Sequence, residues 1–439
     1  MTQIGNEYIE HYPKWREDLP GKDLAWLAEI RAEAFERFTE CGLPTRKTEA
    51  WKYTNLAPLT KDIFAPKVSA AVRNLTVVPA HAPNETAAHR IIFVNGRLEA
   101  DDSAINALPK GVRLITLGEA LEKEPALVAN YLAASNKPEE PALFEMNTAL
   151  MTEGAVLMLE PEIELETPVH LFFLTTDEAA QSAMHLRNLI VAGKGSTATI
   201  FETYLGTGKT EYWTNVVTEV VIDEDAHLRH YKLQNEGEAA YHIAMTVAKI
   251  GDRATYDSFA LSLGSILSRN EIQAFLDGSG IDCRLNGVNL ARGHQHMDTT
   301  TVIDHAKPGS NCNETYRGVV DNHAETVFQG KIIVRQNSQK TSAHQLNRNL
   351  LLSDEAQAKT KPELRIHADD VQCSHGATIS ELDEQALFYL RSRGIAEDVA
   401  RSLLTEAFVV EMIDEIEIAS IREAMRHSMV SWLSEMTGM

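Results

Sequence analysis

Four segments of this chain repeat one shape at a nearly constant interval. Val191-Ala192-Gly193-Lys194-Gly195-Ser196, Val221-Ile222-Asp223-Glu224-Asp225-Ala226, Lys249-Ile250-Gly251-Asp252-Arg253-Ala254 and Phe275-Leu276-Asp277-Gly278-Ser279-Gly280 each set an apolar pair before a Gly or Asp turn and end on a small residue. Their last positions, 196, 226, 254 and 280, step by 30, 28 and 26. Related units at Val319 to Ala324 and Ile333 to Ser338 step by half as much. Between the turns, from about Ala155 to Ser380, lie runs rich in Val, Ile, Thr and Tyr with almost no helical period. Strands recurring at this interval without intervening helices point to a β-solenoid, in which each coil covers the edge of the next. A large β-sandwich also brings strands round at short intervals, and the pattern alone leaves both open. In the solenoid reading, Ile222 and Ile250 face inward.

The flanks have a different texture. In residues 1–65, Leu24, Leu27, Ile30, Arg31, Ala34 and Phe38 follow a three-four spacing that stops at Cys41-Gly42-Leu43-Pro44, which predicts a helix ending there. Residues 66–150 mix short apolar runs, such as Arg90 to Val94, with a helical stretch near Leu117 to Ala133. After Glu381 the helical period returns, with Val399, Leu403, Leu404, Ala407, Phe408 and Met412 on one stripe. That region holds 12 acidic and 5 basic residues and reads as a cap over the solenoid end or a docking surface. The expected division is a helical and mixed region over 1–150, a β core over 151–380 and a helical region over 381–439.

Charge and composition remove several function classes. With 41 Lys and Arg against 63 Asp and Glu, the net charge of −22 opposes binding to a phosphate backbone, and no basic block offsets it. No apolar run is long enough for a membrane helix. Glu7, Glu10, Glu17 and Asp18 do not belong in a secretory signal. Cys41, Cys283, Cys312 and Cys373 are widely spaced, which fits a reducing cytoplasm better than a disulfide framework.

Chemistry-bearing residues concentrate between 283 and 375. His294 and His296 fall on one face if they share a strand, and with His305 they outline a conceivable zinc site; histidines hydrogen-bonded along a strand are the plainer reading. In Ile366-His367-Ala368-Asp369-Asp370-Val371-Gln372-Cys373-Ser374-His375-Gly376, an extended backbone puts Cys373 and His375 on the same side, about 7 Å apart. There the imidazole would lower the thiol pKa or share a soft metal with it, although two ligands cannot close a tetrahedral site. The plainer alternative is a small buried cysteine beside a turn histidine. No G-x-x-x-x-G-K-[ST] loop and no G-x-S-x-G elbow is present. Asp369 and Asp370, adjacent on a strand, would face opposite ways and so would not form the carboxylate pair of a carbohydrate enzyme.

Several long motifs carry a resemblance. The stretch Lys361 to Thr378 (KPELRIHADDVQCSHGAT), the segment Asp383 to Ile395, the run Gln329 to Val334 and, near the N-terminus, Gly42 to Thr54 (GLPTRKTEAWKYT) resemble the SufB/SufD family of iron–sulfur cluster assembly scaffolds, on its SufD side. The Glu-His-Glu-Ala run of the SufB side is not found. The resemblance implies a right-handed parallel β-helix between helical N- and C-terminal regions. It also implies a non-catalytic cytoplasmic subunit that pairs with SufB, binds the SufC ATPase through its C-terminal helices, and can form a homodimer when isolated. His375 then matches a cluster or metal ligand at the heterodimer interface, with Cys373 beside it in the cofactor-binding motif. The iron–sulfur cluster or iron is transient, shared with SufB and not expected on the isolated chain. The competing class is a stand-alone β-helix enzyme acting on carbohydrate.

Overall fold

A computed structural model of the chain describes residues 3–60, 63–66, 88–99, 103, 105, 108–134 and 138–437; within the mixed stretch expected over 66–150, residues 67–87 lie outside the described ones. The N-terminal part contains α1 (Gln3–Trp15), α2 (Ala25–Cys41), β1 (Ala65–Pro66), the hairpin β2 (His89–Val94) and β3 (Arg97–Leu98), β4 (Val112–Thr116), α3 (Leu117–Lys123), α4 (Pro125–Val128) and α5 (Ala142–Leu150). In α2, Leu27, Arg31, Ala34 and Phe38 are buried as their spacing predicts, and the helix ends at Gly42, whose φ of 65° suits glycine.

Sixteen strands follow: β5 (Ala155–Leu159), β6 (Val169–Thr175), β7 (Ser182–Ala192), β8 (Thr197–Gly206), β9 (Trp213–Ile222), β10 (His227–Asn235), β11 (Tyr241–Ile250), β12 (Thr255–Ser262), β13 (Leu267–Leu276), β14 (Asp282–Ala291), β15 (His296–His305), β16 (Asn311–Val320), β17 (Glu325–Val334), β18 (Thr341–Leu351), β19 (Gln357–Ile366) and β20 (Val371–Glu381). Odd strands form one sheet and even strands the other, each pairing in parallel with the strand two positions on. This is a parallel β-solenoid of about eight turns with two strands per coil, not a sandwich. Ile222 aligns with Ile250 and Ile250 with Leu276, steps of 28 and 26, whereas Val334 aligns with Ile366, a step of 32.

The half-steps in the sequence also have a cause. The first four units all turn the corner from an odd strand to an even one, whereas Val319 to Ala324 turns the opposite corner, from β16 to β17. The odd-to-even corner carries a left-handed residue in successive coils: Gly195, Asp225, Arg253, Gly280, Gly309 and Lys340, with φ between 54° and 77°. A left-handed L-residue costs roughly 1 kcal/mol. The corner offsets this by pointing its N–H at the next coil, as from Asp225 to the Asp252 carbonyl (2.9 Å) and from Arg253 to that of Ser279 (2.8 Å).

Both sheets are covered on both faces over most of their length. Inside lie Ile222, Ile250, Leu276, Cys283 and Cys312. Outside, Tyr8, Tyr12, Phe38 and Trp51 pack on Trp213, Tyr241, Ile243 and Leu267 of the odd sheet. Three C-terminal helices, α6 (Glu384–Ser392), α7 (Glu397–Asp414) and α8 (Ala419–Thr437), complete the chain. Val409, Met412, Ile413, Met425 and Trp432 of the last two cover Phe259, Leu261, Val288, Leu290 and Val319 of the even sheet.

Two expectations for this region need correction. The helices lie along the side of the solenoid and do not cap its end. The buried stripe of α7 is also rotated, running through Ala400, Thr405, Val409, Met412 and Ile413. Leu403 and Ala407 are exposed instead. The face turned to the even sheet is held where Arg317 on β16 donates to Glu411 (2.6 Å) and to the Phe408 carbonyl, next to the packed Val409, Met412 and Ile413.

Candidate functional site at the open end of the solenoid

The last coil, β19 and β20, has a neighbouring coil on one side only. Ten and eleven residues of edge backbone face outward, and Ile366 and Ile379 are 40% and 47% exposed there. A long free edge pairs with another chain unless something blunts it; Lys359, Lys361, Pro362 and Arg365 blunt β19, whereas β20 carries no Lys, Arg or Pro.

Cys373 and His375 sit on β20, opposite Ala343 and Gln345 of β18. Ala343 and Gln345 are buried inside the solenoid, so the parallel register places Cys373 and His375 on the same interior-facing side, as their spacing predicts. With no coil beyond, that side is open. Cys373 is half-buried against the interior core and His375 is exposed. The expected lowering of the thiol pKa by the imidazole is not found. Burial pushes the Cys373 thiol up, partly opposed by a hydrogen bond with the Ala343 backbone, and His375 makes no contribution. A thiol in this state is a poor nucleophile until a metal or a partner displaces its proton.

Behind this pair runs a polar column that the motifs did not reveal. Glu314 on β16 aligns with Gln345, and Gln345 aligns with His375. Gln345 Nε2 donates to Glu314 Oε2 (2.7 Å), and both side chains are about 98–99% buried, at 2% and 1% exposure. Burial lifts the Glu314 carboxyl to about 7, against the opposing pull of Thr301 and Gln345. Gly330 on β17 makes room for this contact, since a Cβ there would lie 1.9 Å from Gln345 Nε2. Beside it stand Cys283 and Cys312 in register, with thiols driven up by burial. The sequence does hold a signal: stepping back one coil from His375 gives 375 − 345 = 30 and 345 − 314 = 31.

The other histidine group does not assemble. His294 lies in a turn, stacked on His323 with ring centroids 5.0 Å apart. His296 starts β15, where its Nε2 lies 2.9 Å from Thr54 Oγ1. His305, at the far end of that strand, is buried, and burial pulls its pKa to about 4. His294 and His296 border one cavity of about 280 Å³ with Arg46, Tyr53 and Lys359, but His305 does not reach it. Among the described residues no three His, Cys, Asp or Glu side chains are grouped to hold a metal. Asp369 and Asp370 fall in the bend between β19 and β20, so no carbohydrate-type carboxylate pair is built on them. No helix among the described residues is long and apolar enough to cross a membrane.

The N-terminal motif Gly42 to Thr54 has a structural use. Trp51 lies over the Arg269 guanidinium (4.1 Å), which is buried between Glu271 (3.0 Å) and Asp298, and Thr54 donates to Asp298. This clamp ties the motif to the odd sheet.

Comparison with known proteins gives a consistent picture. Residues 173–408 match the family described as SUF system FeS cluster assembly, SufBD core domain, and residues 2–171 match the SufBD protein N-terminal region. The chain is 34% identical to an iron–sulfur cluster assembly SufBD family protein of Synechocystis, over 92% of this chain and 91% of that one. It is 27% identical to the iron–sulfur cluster assembly protein SufD of Escherichia coli, over 88% and 89% of the two chains. With SufD of Bacillus subtilis it shares 26% identity over 96% of each.

Proposed function

The chain belongs to the SufBD family of SUF-system iron–sulfur cluster assembly proteins, and on that premise we propose that it is a SufD-type scaffold subunit, itself non-catalytic and cytoplasmic. It pairs with SufB through the open end of the solenoid and binds the SufC ATPase through the C-terminal helices. The functional division is 1–150, 151–380 and 381–439, for the N-terminal region, the pairing body and the docking region.

The open end carries this reading. A coil with free edge backbone and exposed Ile366 and Ile379 supports the addition of a second solenoid. It also explains why the candidate ligands are incomplete. His375 offers a neutral, borderline donor and Cys373 a soft one, so a partner edge supplying a thiolate would complete a site that exists only at the junction. The cluster or iron is cargo of that junction. Phe388 and Tyr389, 74% and 57% exposed on α6, support docking on the C-terminal helices.

The test is Ile379→Lys in the full chain co-expressed with SufB. The expected result is a folded chain that no longer co-purifies with SufB; a homodimer of the isolated chain through the same edge is lost with it. Undiminished SufB pairing would refute the open end as the junction.

A further inference from the structure

The proposed role of His375 leaves open what fixes its ring, and the column behind it bears on this. Gln345 is the cross-strand partner of His375 on the same interior-facing side. Directly paired strands run about 4.8 Å apart, within reach of a glutamine and an imidazole. Above about pH 7, where Glu314 is ionised, the amide of Gln345 is not free to turn, because its Nε2 is held by Glu314 Oε2 (2.7 Å) and an ionised carboxylate accepts only. Its Oε1 is therefore the open atom, and it is buried without a hydrogen-bond partner. A buried acceptor in that state calls for a donor. Among the described residues the His375 ring has no hydrogen-bond partner, and either of its nitrogens can carry the donor. Gly330, which leaves the space that Gln345 Nε2 occupies, shows independently that the amide position is built rather than incidental.

We propose that Gln345 is a positioning residue for His375: Glu314 holds its amide nitrogen, its carbonyl oxygen accepts an N–H of the imidazole, and the opposite ring nitrogen is thereby fixed as the lone-pair donor facing out of the open coil. The inference rests on the reading of His375 as a ligand. A fixed tautomer and ring orientation is what a hydrogen bond behind a ligating histidine supplies.

The test uses the isolated full chain, free of iron, with 15N-labelled histidine, and reads the His375 tautomer by two-bond proton–nitrogen correlation at pH 8, where Glu314 is ionised. His375→Ala assigns the signal. The parent chain is expected to show one tautomer. Gln345→Met, which keeps length but removes the acceptor, and Gly330→Ala, which pushes on the amide, are each expected to give a mixture. The exchange Glu314→Gln with Gln345→Glu reverses the donor and acceptor while keeping an oxygen toward His375, and is expected to restore one tautomer. A mixture in the parent chain, or an unchanged single tautomer in Gln345→Met, overturns the proposal. If Gln345→Met does not fold, the exchange variant decides, and a mixture there overturns it. The readout does not depend on assembly activity. A His375 that proves dispensable for clusters would sink the ligand reading and leave this contact standing.

Discussion

Replacing Glu314 with glutamine should change how stability depends on pH. Glu314 is enclosed between the sheets, and burial raises its carboxyl from 4.5 to about 7. The groups around it that titrate, Cys283, Cys312 and Tyr316, are all pushed upward and stay protonated through neutral pH, so no counter-charge appears as Glu314 ionises. A carboxyl with a raised folded-state value keeps its proton where the unfolded chain has released it. Its contribution is therefore fully present below the unfolded value near 4.5 and is lost as pH rises through about 7. The difference, 7 − 4.5, at about 1.4 kcal/mol per unit, amounts to about 3 kcal/mol. Glutamine has the same shape and still offers an oxygen to Gln345 Nε2. Urea unfolding of both chains at pH 5, 6, 7 and 8 measures the effect. The variant should exceed the parent by under about 1 kcal/mol at pH 5 and by an amount approaching 3 kcal/mol at pH 8. A difference that stays flat across this range would show that Glu314 is not held protonated by burial.

Three further outcomes follow from the geometry. Ile250→Asp puts a charge with no partner into the solenoid interior, where Ile250 is fully buried, and should lower unfolding free energy by at least about 4 kcal/mol; a fully folded variant at ordinary denaturant midpoints would contradict the register. His375→Ala should leave folding and SufB co-purification intact but abolish cluster assembly in cells that rely on the variant, while Cys373→Ala should have a milder effect; normal cluster content with His375→Ala would remove the ligand role. Phe388→Ser with Tyr389→Ser should abolish SufC capture without moving the unfolding midpoint, because both side chains are exposed. Deleting everything after Ser380 is a poorer test, since it would strip the helices from Phe259, Leu261, Val288 and Leu290.

The solenoid was legible because its corners are chemically restricted. A left-handed residue followed by a small one recurs where β7, β9 and β11 end (Gly195-Ser196, Asp225-Ala226, Arg253-Ala254), and a left-handed Gly280 holds the corresponding corner after β13; that recurrence survives although the strand residues vary. The facing of individual strand residues was much less legible. Alternation of polar and apolar residues marks a sheet with one wet face, whereas β7 and β9 are covered on both sides and are buried almost throughout. Buried charges such as Arg187, paired with Glu219 at 2.7 Å, sit where alternation would read solvent. The facing of Cys373 and His375 could be read because two residues on one strand need only local geometry. Their neighbours Gln345 and Glu314 come from other coils and needed the register. The α7 stripe misled because a helix with apolar residues on two sides does not declare which side the sheet will take.

The open coil also has a consequence for cooperativity. In a stack where each layer is stabilised by the layers above and below it, an end layer lacks one of its two interfaces and opens at a lower free energy than the middle. Residues 357–381 are that layer, and they carry His375. The last coil of the lone chain should therefore exchange its amide hydrogens faster than β9 or β11. A second solenoid added to the edge would supply the missing interface and slow that exchange. Ordering of the strand that carries His375 and addition of a second solenoid would then be a single equilibrium, so that strand becomes rigid only as the edge is filled.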